Sequence, residues 1–197
     1  PDLPASVPRN RLGLARWLAS PENPLAARVA VNRMWERLFG RGLVATSEDF
    51  GTRGDPPSHP ELLDWLALDF EASGGSFKSL VRRIVTSATY RQGSNATREL
   101  VERDREGRWL TRAPRVRLEI ETLRDASLAL GGLLVEKVGG PSVFPPQPEG
   151  VFGSVYSDDS WKPSIGDDAH RRGLYTFWKR SAPYATFAIF DAPSREL

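Results

Sequence analysis

A chain of 197 residues is long enough for one generous domain or two small ones, with a real apolar core. At 40% hydrophobic and 26% charged residues it is not wholly disordered, and 27 basic against 25 acidic residues leave a net charge of only +2, without the clustered excess of a nucleic-acid binder. With no cysteine it has no disulfide, thiolate zinc site, Cys nucleophile or Cys-x-x-Cys-His haem attachment, and no apolar run approaches the ~18 residues of a membrane span.

Pro1 and Leu197 read as cuts in a longer chain, and Pro1 to Pro8 as an extended lead-in. Arg9 to Ala19 is a short helix anchored by Leu14, Trp17 and Leu18. The stretch Asn23 to Val44 then organises the rest. Asn23 is a good N-cap, Pro24 suits the first helical position, and Gly40 and Gly42 supply the stop. At 100° per residue Ala27, Ala30, Val31, Met34 and Leu38 share one face, while Arg28, Asn32 and Trp35 run along its flank.

A loop from Ala45 to Pro57, rich in Gly, Pro, Thr, Ser and Asp, is long for a helical protein. Ser58-x-x-Glu61 fits a capping box with Pro60 in the first turn of a helix carrying Leu62, Leu63, Trp65, Leu66 and Phe70. Gly74-Gly75 ends it. From Ser76, Phe77, Leu80, Val81, Ile84, Val85 and Ala88 give the strongest helical period, ending near Tyr90-Arg91. Ser94 to Arg112 is mostly charged and reads as a solvated helix or connector. Val116 to Leu134 is helical again. After Gly139-Gly140-Pro141 the chain turns to proline, glycine and aromatics, and Gly173 to Arg180 is β-branched and aromatic enough for a strand. Thr186 to Phe190 fits a second strand or a short helix. The expected fold is mainly α: about five helices with a small irregular aromatic-rich part holding one or two short strands. Residues 1–134 form the helical core and 135–197 a segment packing on it, one domain overall.

Candidate sites each carry a plainer reading. His59, in Pro-Ser-His-Pro-Glu at a helix start, could act as base or ligand with Glu61 and Asp64, or simply form a structured turn. Asp167, Asp168 and His170, with Asp158-Asp159 upstream, are the most metal-like group, although their spacing fits no EF-hand and acidic loops are usually just solvated. Arg117, Glu121, Arg124 and Asp125 sit about one turn apart and suit ion pairs along a helix more than acid–base work on a sugar. Arg28, Asn32 and Trp35 read as a polar brace to the Asp49 loop, with a binding site as the other choice. Trp161, Tyr175, Phe177, Trp178 and Tyr184 with Lys179 and Arg180 make an aromatic–basic set that either stacks on sugars or packs as core, and Arg171 and Arg172 are further binding candidates. No Gly-x-Ser-x-Gly elbow, phosphate loop or dinucleotide fingerprint is present.

The motifs Trp17-Leu-Ala-Ser-Pro-Glu-Asn-Pro24, Arg28-Val-Ala-Val-Asn-Arg-Met-Trp35, Phe39-Gly-Arg-Gly-Leu43, Asp49-Phe-Gly51 and Pro57-Ser-His-Pro-Glu-Leu-Leu-Asp-Trp-Leu66 are followed in order by Ser87-Ala-Thr-Tyr-Arg-Gln92, Arg124-Asp125, Gly139-Gly-Pro-Ser142, Arg171-Arg172 and Phe190-Asp-Ala-Pro-Ser-Arg-Glu196. Together they resemble the planctomycete-specific domain of unknown function 1553 over nearly the whole chain. The resemblance implies a C-terminal part of a large exported protein (periplasmic or extracellular) that often also carries a cytochrome-c-type haem domain, a companion domain of unknown function and sometimes a lectin-like β-sandwich. It also implies that the domain continues past Leu197. It brings no catalytic residue.

The resulting expectation is a structural or binding module that contacts neighbouring domains of its parent chain or a polysaccharide. It has no cofactor in this segment, no nucleic-acid partner and no membrane span. The alternative is a polysaccharide-directed hydrolase or redox-coupled enzyme using His59 and nearby carboxylates, its site where the Asp49 loop, His59 and the Arg171–Arg180 segment meet.

Overall fold

The structure, a computed structural model, describes residues 4, 7–150, 160–179, 182–190 and 192. It is mainly helical, with eight α-helices among the described residues. The chain falls into two compact units, Pro1–Val116 and Arg117–Leu197.

The first unit carries α1 (Arg11–Leu18), α2 (Ala26–Phe39), α3 (Pro60–Ala72), α4 (Phe77–Thr86), α5 (Ala88–Arg91) and α6 (Arg98–Arg103). In α1, Asn10 caps the Gly13 N–H at 2.8 Å, but Leu14 and Leu18 are exposed and Trp17 is half-buried, so the expected anchors do little anchoring. Asn23 and Pro24 do not open α2 as expected: the helix starts at Ala26 with Leu25 at the N-cap position and no side-chain cap, and buried Asn23 instead shapes the preceding turn by accepting from the Leu25 and Ala26 N–H groups at 2.9 and 3.2 Å. Gly40, at φ 75°, closes α2 by donating to the Glu36 carbonyl.

The buried stripe of α2 is Ala27, Val31, Asn32, Trp35 and Phe39. It is rotated towards the flank that the sequence placed at the core boundary; Ala30, Met34 and Leu38 are only partly covered. Trp35 and Phe39 stack at 4.1 Å, and Tyr90 meets Phe39 edge-on at 5.6 Å. Such pairs add roughly 0.5–1.5 kcal/mol beyond area burial. Leu63, Leu66, Ala67 and Phe70 from α3 and Leu80 and Ile84 from α4 complete this core.

Three local expectations change. The capping box does not form, because the N-cap of α3 is His59, with no side-chain bond; the Ser58 hydroxyl sits against His59 Nδ1 instead. The long helix from Ser76 breaks at Ser87, whose extended backbone ends α4 and whose hydroxyl caps α5 by accepting from Tyr90 N–H. Gly42 does not serve as a helix stop. It lets the chain pass Asn32, since a Cβ there would lie 2.6 and 2.9 Å from the two amide atoms of that side chain.

The second unit holds α7 (Ile120–Leu130) and α8 (Ala185–Ile189), with 3₁₀ turns at Gly166–His170 and Gly173–Tyr175. The expected Gly173–Arg180 strand is not there: a 3₁₀ turn opens it, and β pairing among the described residues is two isolated parallel bridges, Val135 with Arg171 and Val143 with Thr176. Arg180 lies outside the described residues. The Thr186–Phe190 stretch is helical, as α8. α7 is shorter than the sequence suggested, and Leu130 at its end is 91% exposed. The core here is Ile120, Tyr184 and Phe187 with Leu123, Trp161 and Trp178 around them. No helix among the described residues is long and apolar enough to cross a membrane.

Crowding at Gly42 makes a direct test. Gly42→Ala should destabilise the protein by about 1–3 kcal/mol. Gly93→Ala, where an added methyl meets open space, should stay within about 0.5 kcal/mol of wild type. Urea midpoints at unchanged m-value measure both.

Candidate functional site

The residues singled out by the sequence fall into separate networks, each tied to its own backbone. Asn32 is fully buried on α2. Its Nδ2 donates to the Val44 carbonyl at 3.0 Å and to Ser47 Oγ at 3.1 Å, and its Oδ1 accepts from the Val44 N–H at 2.9 Å. The amide thus pairs with a loop residue much as a neighbouring strand would. Ser47 Oγ passes the chain of bonds on to Glu36 Oε2 at 2.7 Å. The brace to the loop is real, though it lands on Val44 and Ser47 and not on Asp49.

Asp49 organises its own turn. Its Oδ1 accepts from Gly51 N–H at 3.1 Å, and its carbonyl accepts from Thr46 Oγ1 at 2.9 Å. Arg28 takes a different partner again, donating from Nε to Asp64 on α3 at 2.6 Å and from Nη1 to the Pro24 carbonyl. Asp64, one of the two carboxylates proposed to assist His59, is therefore engaged, and Glu61 points into solvent. Trp35 belongs to the core.

In the second unit Arg171 is 1% exposed, the largest of the fully buried side chains. Its guanidinium donates to the carbonyls of Pro141 at 3.1 Å, Lys137 at 3.2 Å and Gly139. The Tyr175 ring lies 3.9 Å from its Cζ, and the Tyr175 hydroxyl accepts from Gly139 N–H at 2.8 Å. A planar cation inside an arch of carbonyls, with an aromatic face against it, is what arginine's fixed fork allows and lysine's point charge does not.

Of the expected set Arg117, Glu121, Arg124 and Asp125, the last two reach sideways, to the segment packed on the helix. Asp125 accepts from Arg172 Nε at 2.7 Å and from the Gly173 N–H at 2.6 Å. Arg124 donates to the Ala169 carbonyl at 2.8 Å. Burial pushes the Arg124 guanidinium below its ordinary value, against the opposing pull of Tyr184 and Asp125. The hydrogen bond to Asp125 pushes Arg172 above its own. Among the described residues Glu121 Oε2 and Arg124 Nε are buried without a hydrogen-bond partner.

With these bonds in place, the family assignment has a structural frame. A family model described as a protein of unknown function, DUF1553 (PSD1), matches residues 10–197. The chain belongs to the DUF1553 family. No curated protein and no solved structure matches it. Most segments that carry the family resemblance therefore also hold the fold: Arg28 to Trp35, Phe39 to Leu43, Asp49 to Gly51, Arg124-Asp125, Gly139 to Ser142 and Arg171-Arg172 of this DUF1553 chain all take part in the bonds or core contacts just described.

Asp167 is exposed, and Asp168 lies 3.9 Å from Lys137 Nζ, both in the Gly166–His170 turn with His170. Among the described residues no three His, Cys, Asp or Glu side chains gather closely enough to hold a metal ion. Asp158 and Asp159 lie outside the described residues.

The aromatic set is mostly interior. Phe144 stacks on Phe177 at 4.7 Å and Trp161 on Tyr184 at 5.6 Å, while Trp161 Nε1 and the Tyr184 hydroxyl donate to the carbonyls of Pro145 and Pro146. Lys179 is half-buried beside Trp178 in sequence. A cavity of about 310 Å³ lies against Leu123, Arg124, Leu128, Tyr184 and Phe190.

The sequence reading missed Asp104. This buried carboxylate accepts from the Arg108 N–H at 2.7 Å and the Trp109 N–H at 3.1 Å. Its signal was available in Asp104-x-x-Gly107, the composition of an Asx-led turn.

Arg171 and its neighbour give a matched pair of tests. Arg171→Lys keeps the charge but loses the fork across the carbonyls, and should cost about 2–4 kcal/mol. Arg172→Lys disturbs a half-exposed pair and should cost less than about 1 kcal/mol. Calorimetric unfolding of the two variants distinguishes them.

Proposed function

We propose that this DUF1553 chain is a non-catalytic structural module of a larger exported multidomain protein, one that fixes the position of neighbouring domains. The observation that supports this most is the destination of its buried polar side chains. Asn32 and Arg171 are both directed at backbone groups of their own unit, where a catalytic or ligand-binding residue would present donors to an open space. Arg28, Asp49 and Asp125 are likewise engaged. Export and the multidomain setting rest on the family resemblance in the motifs; a haem in the parent protein would belong to its cytochrome-like part.

The enzymatic alternative depended on His59 with two free carboxylates. Its ring bonds Ser58, and the nearest acidic candidate, Asp64, is held by Arg28.

The test is turnover. Incubation of the chain with a panel of plant and bacterial polysaccharides should release no reducing sugar above buffer, and His59→Ala should change nothing. Hydrolysis of any member of the panel that disappears in His59→Ala would overturn the proposal. In the full parent protein, Asn32→Ala should broaden the interdomain distances seen by small-angle scattering, because it frees the Val44 loop.

A further inference from the structure

In the first unit the loop after α2 and the turn after α6 line a cavity of about 190 Å³. Leu43 and Pro56 form its apolar part; Arg41, Arg108, Asp55 and Ser58 form its polar part. The charges balance. Arg41 is already paired with Glu106, and Asp55 offsets Arg108. Such a lining has no excess with which to select an ion. It does hold guanidinium donors, a carboxylate acceptor and a hydroxyl that can do either.

The polar part is held in place from behind. Asp55 N–H donates to Thr46 Oγ1 at 2.9 Å, and the backbone of Arg108 and Trp109 is fixed by the buried Asp104 carboxylate. Among the described residues neither the Arg108 guanidinium nor the Asp55 carboxylate is taken by an ion pair or a side-chain hydrogen bond. Beside Arg108, 6.0 Å from its Cζ, the Trp109 ring is 60% exposed. The turn thus holds an exposed indole just outside the cavity lining, with the Arg108 guanidinium over its ring, while Arg108 and Asp55 line the cavity itself.

We propose that this cavity binds one neutral pyranose unit of a polysaccharide. Adjacent ring hydroxyls are donors and acceptors at once, and Asp55 with Arg108 and Ser58 offers the complementary couple. The C–H face of a pyranose is apolar, and Trp109, exposed beside Arg108 outside the cavity lining, suits the next ring of the same glycan. The volume is below the roughly 300–1,000 Å³ of sites for drug-sized ligands, which suits a single ring with the rest of the glycan outside. The site does not depend on the structural role proposed above, since a module that positions domains can also hold a glycan.

The test is calorimetric titration of the whole chain with cellohexaose, mannohexaose and xylohexaose, with trigalacturonate and inorganic phosphate as acidic probes. Saturable binding of a neutral oligosaccharide is expected, weakened at least about tenfold by Trp109→Ala and by Asp55→Asn. Both side chains are exposed, so thermal midpoints should hold. On the unaltered chain, saturation-transfer NMR should label the C–H protons of one ring face. Three results would overturn the site: no neutral oligosaccharide binds, binding survives both substitutions, or trigalacturonate or phosphate binds in preference. Polysaccharide hydrolysis lost in His59→Ala would instead strike the non-catalytic reading and leave this site standing.

Discussion

A backbone segment enters a protein interior only when something bonds its N–H and C=O groups, and the described residues of this chain have almost no sheet to supply those bonds. Single polar side chains do so instead. Asn32 pairs with Val44 through both its amide atoms; Asp104 gathers the N–H groups of Arg108 and Trp109; Asp125 holds the Gly173 N–H; Arg171 collects carbonyls from the Lys137–Pro141 arch. Amide and carboxylate oxygens take up the orphan N–H groups, and amide nitrogen and guanidinium take up the orphan carbonyls. Removing any one would strand several buried groups at once, at roughly 1–3 kcal/mol for each group left unsatisfied.

This arrangement explains how far the fold could be read from the residues. Helices announced by apolar period appear where expected, because burial of one face is a local pattern: Leu63, Leu66 and Phe70, or Leu80 and Ile84. Asn32 was legible as a brace for the same reason, since its spacing with Arg28 and Trp35 set it beside the core stripe. The partner was not legible. Arg28 finds Asp64, 36 residues away, and Arg171 finds the glycine arch 30 to 34 residues upstream, and no one-dimensional pattern states such pairings. Gly173 to Lys179 shows the opposite error. Its β-branched and aromatic residues have strand propensity, but among the described residues no neighbouring strand is there to pair with, so Thr176 makes one bridge and the aromatics pack sideways.

Motif residues with charge or an amide invite a chemical reading. In this DUF1553 chain several of them are what allows loops rich in glycine and proline to sit against a core. The aromatic residues after Gly140 obey the same rule from the apolar side: Trp161 and Tyr184 bury their rings and direct their polar tips at proline carbonyls, which have no N–H of their own with which to organise a ladder.

The braces also differ in when they can form. The Asn32–Val44 bonds span 12 residues, a short closure that can occur as soon as α2 exists. The carbonyl arch has to wait for an arginine 30 to 34 residues further along the chain. The Asn32 brace is thus open to a local closure, whereas the carbonyl arch is tied to a distant cation and carries the larger loop-closure entropy.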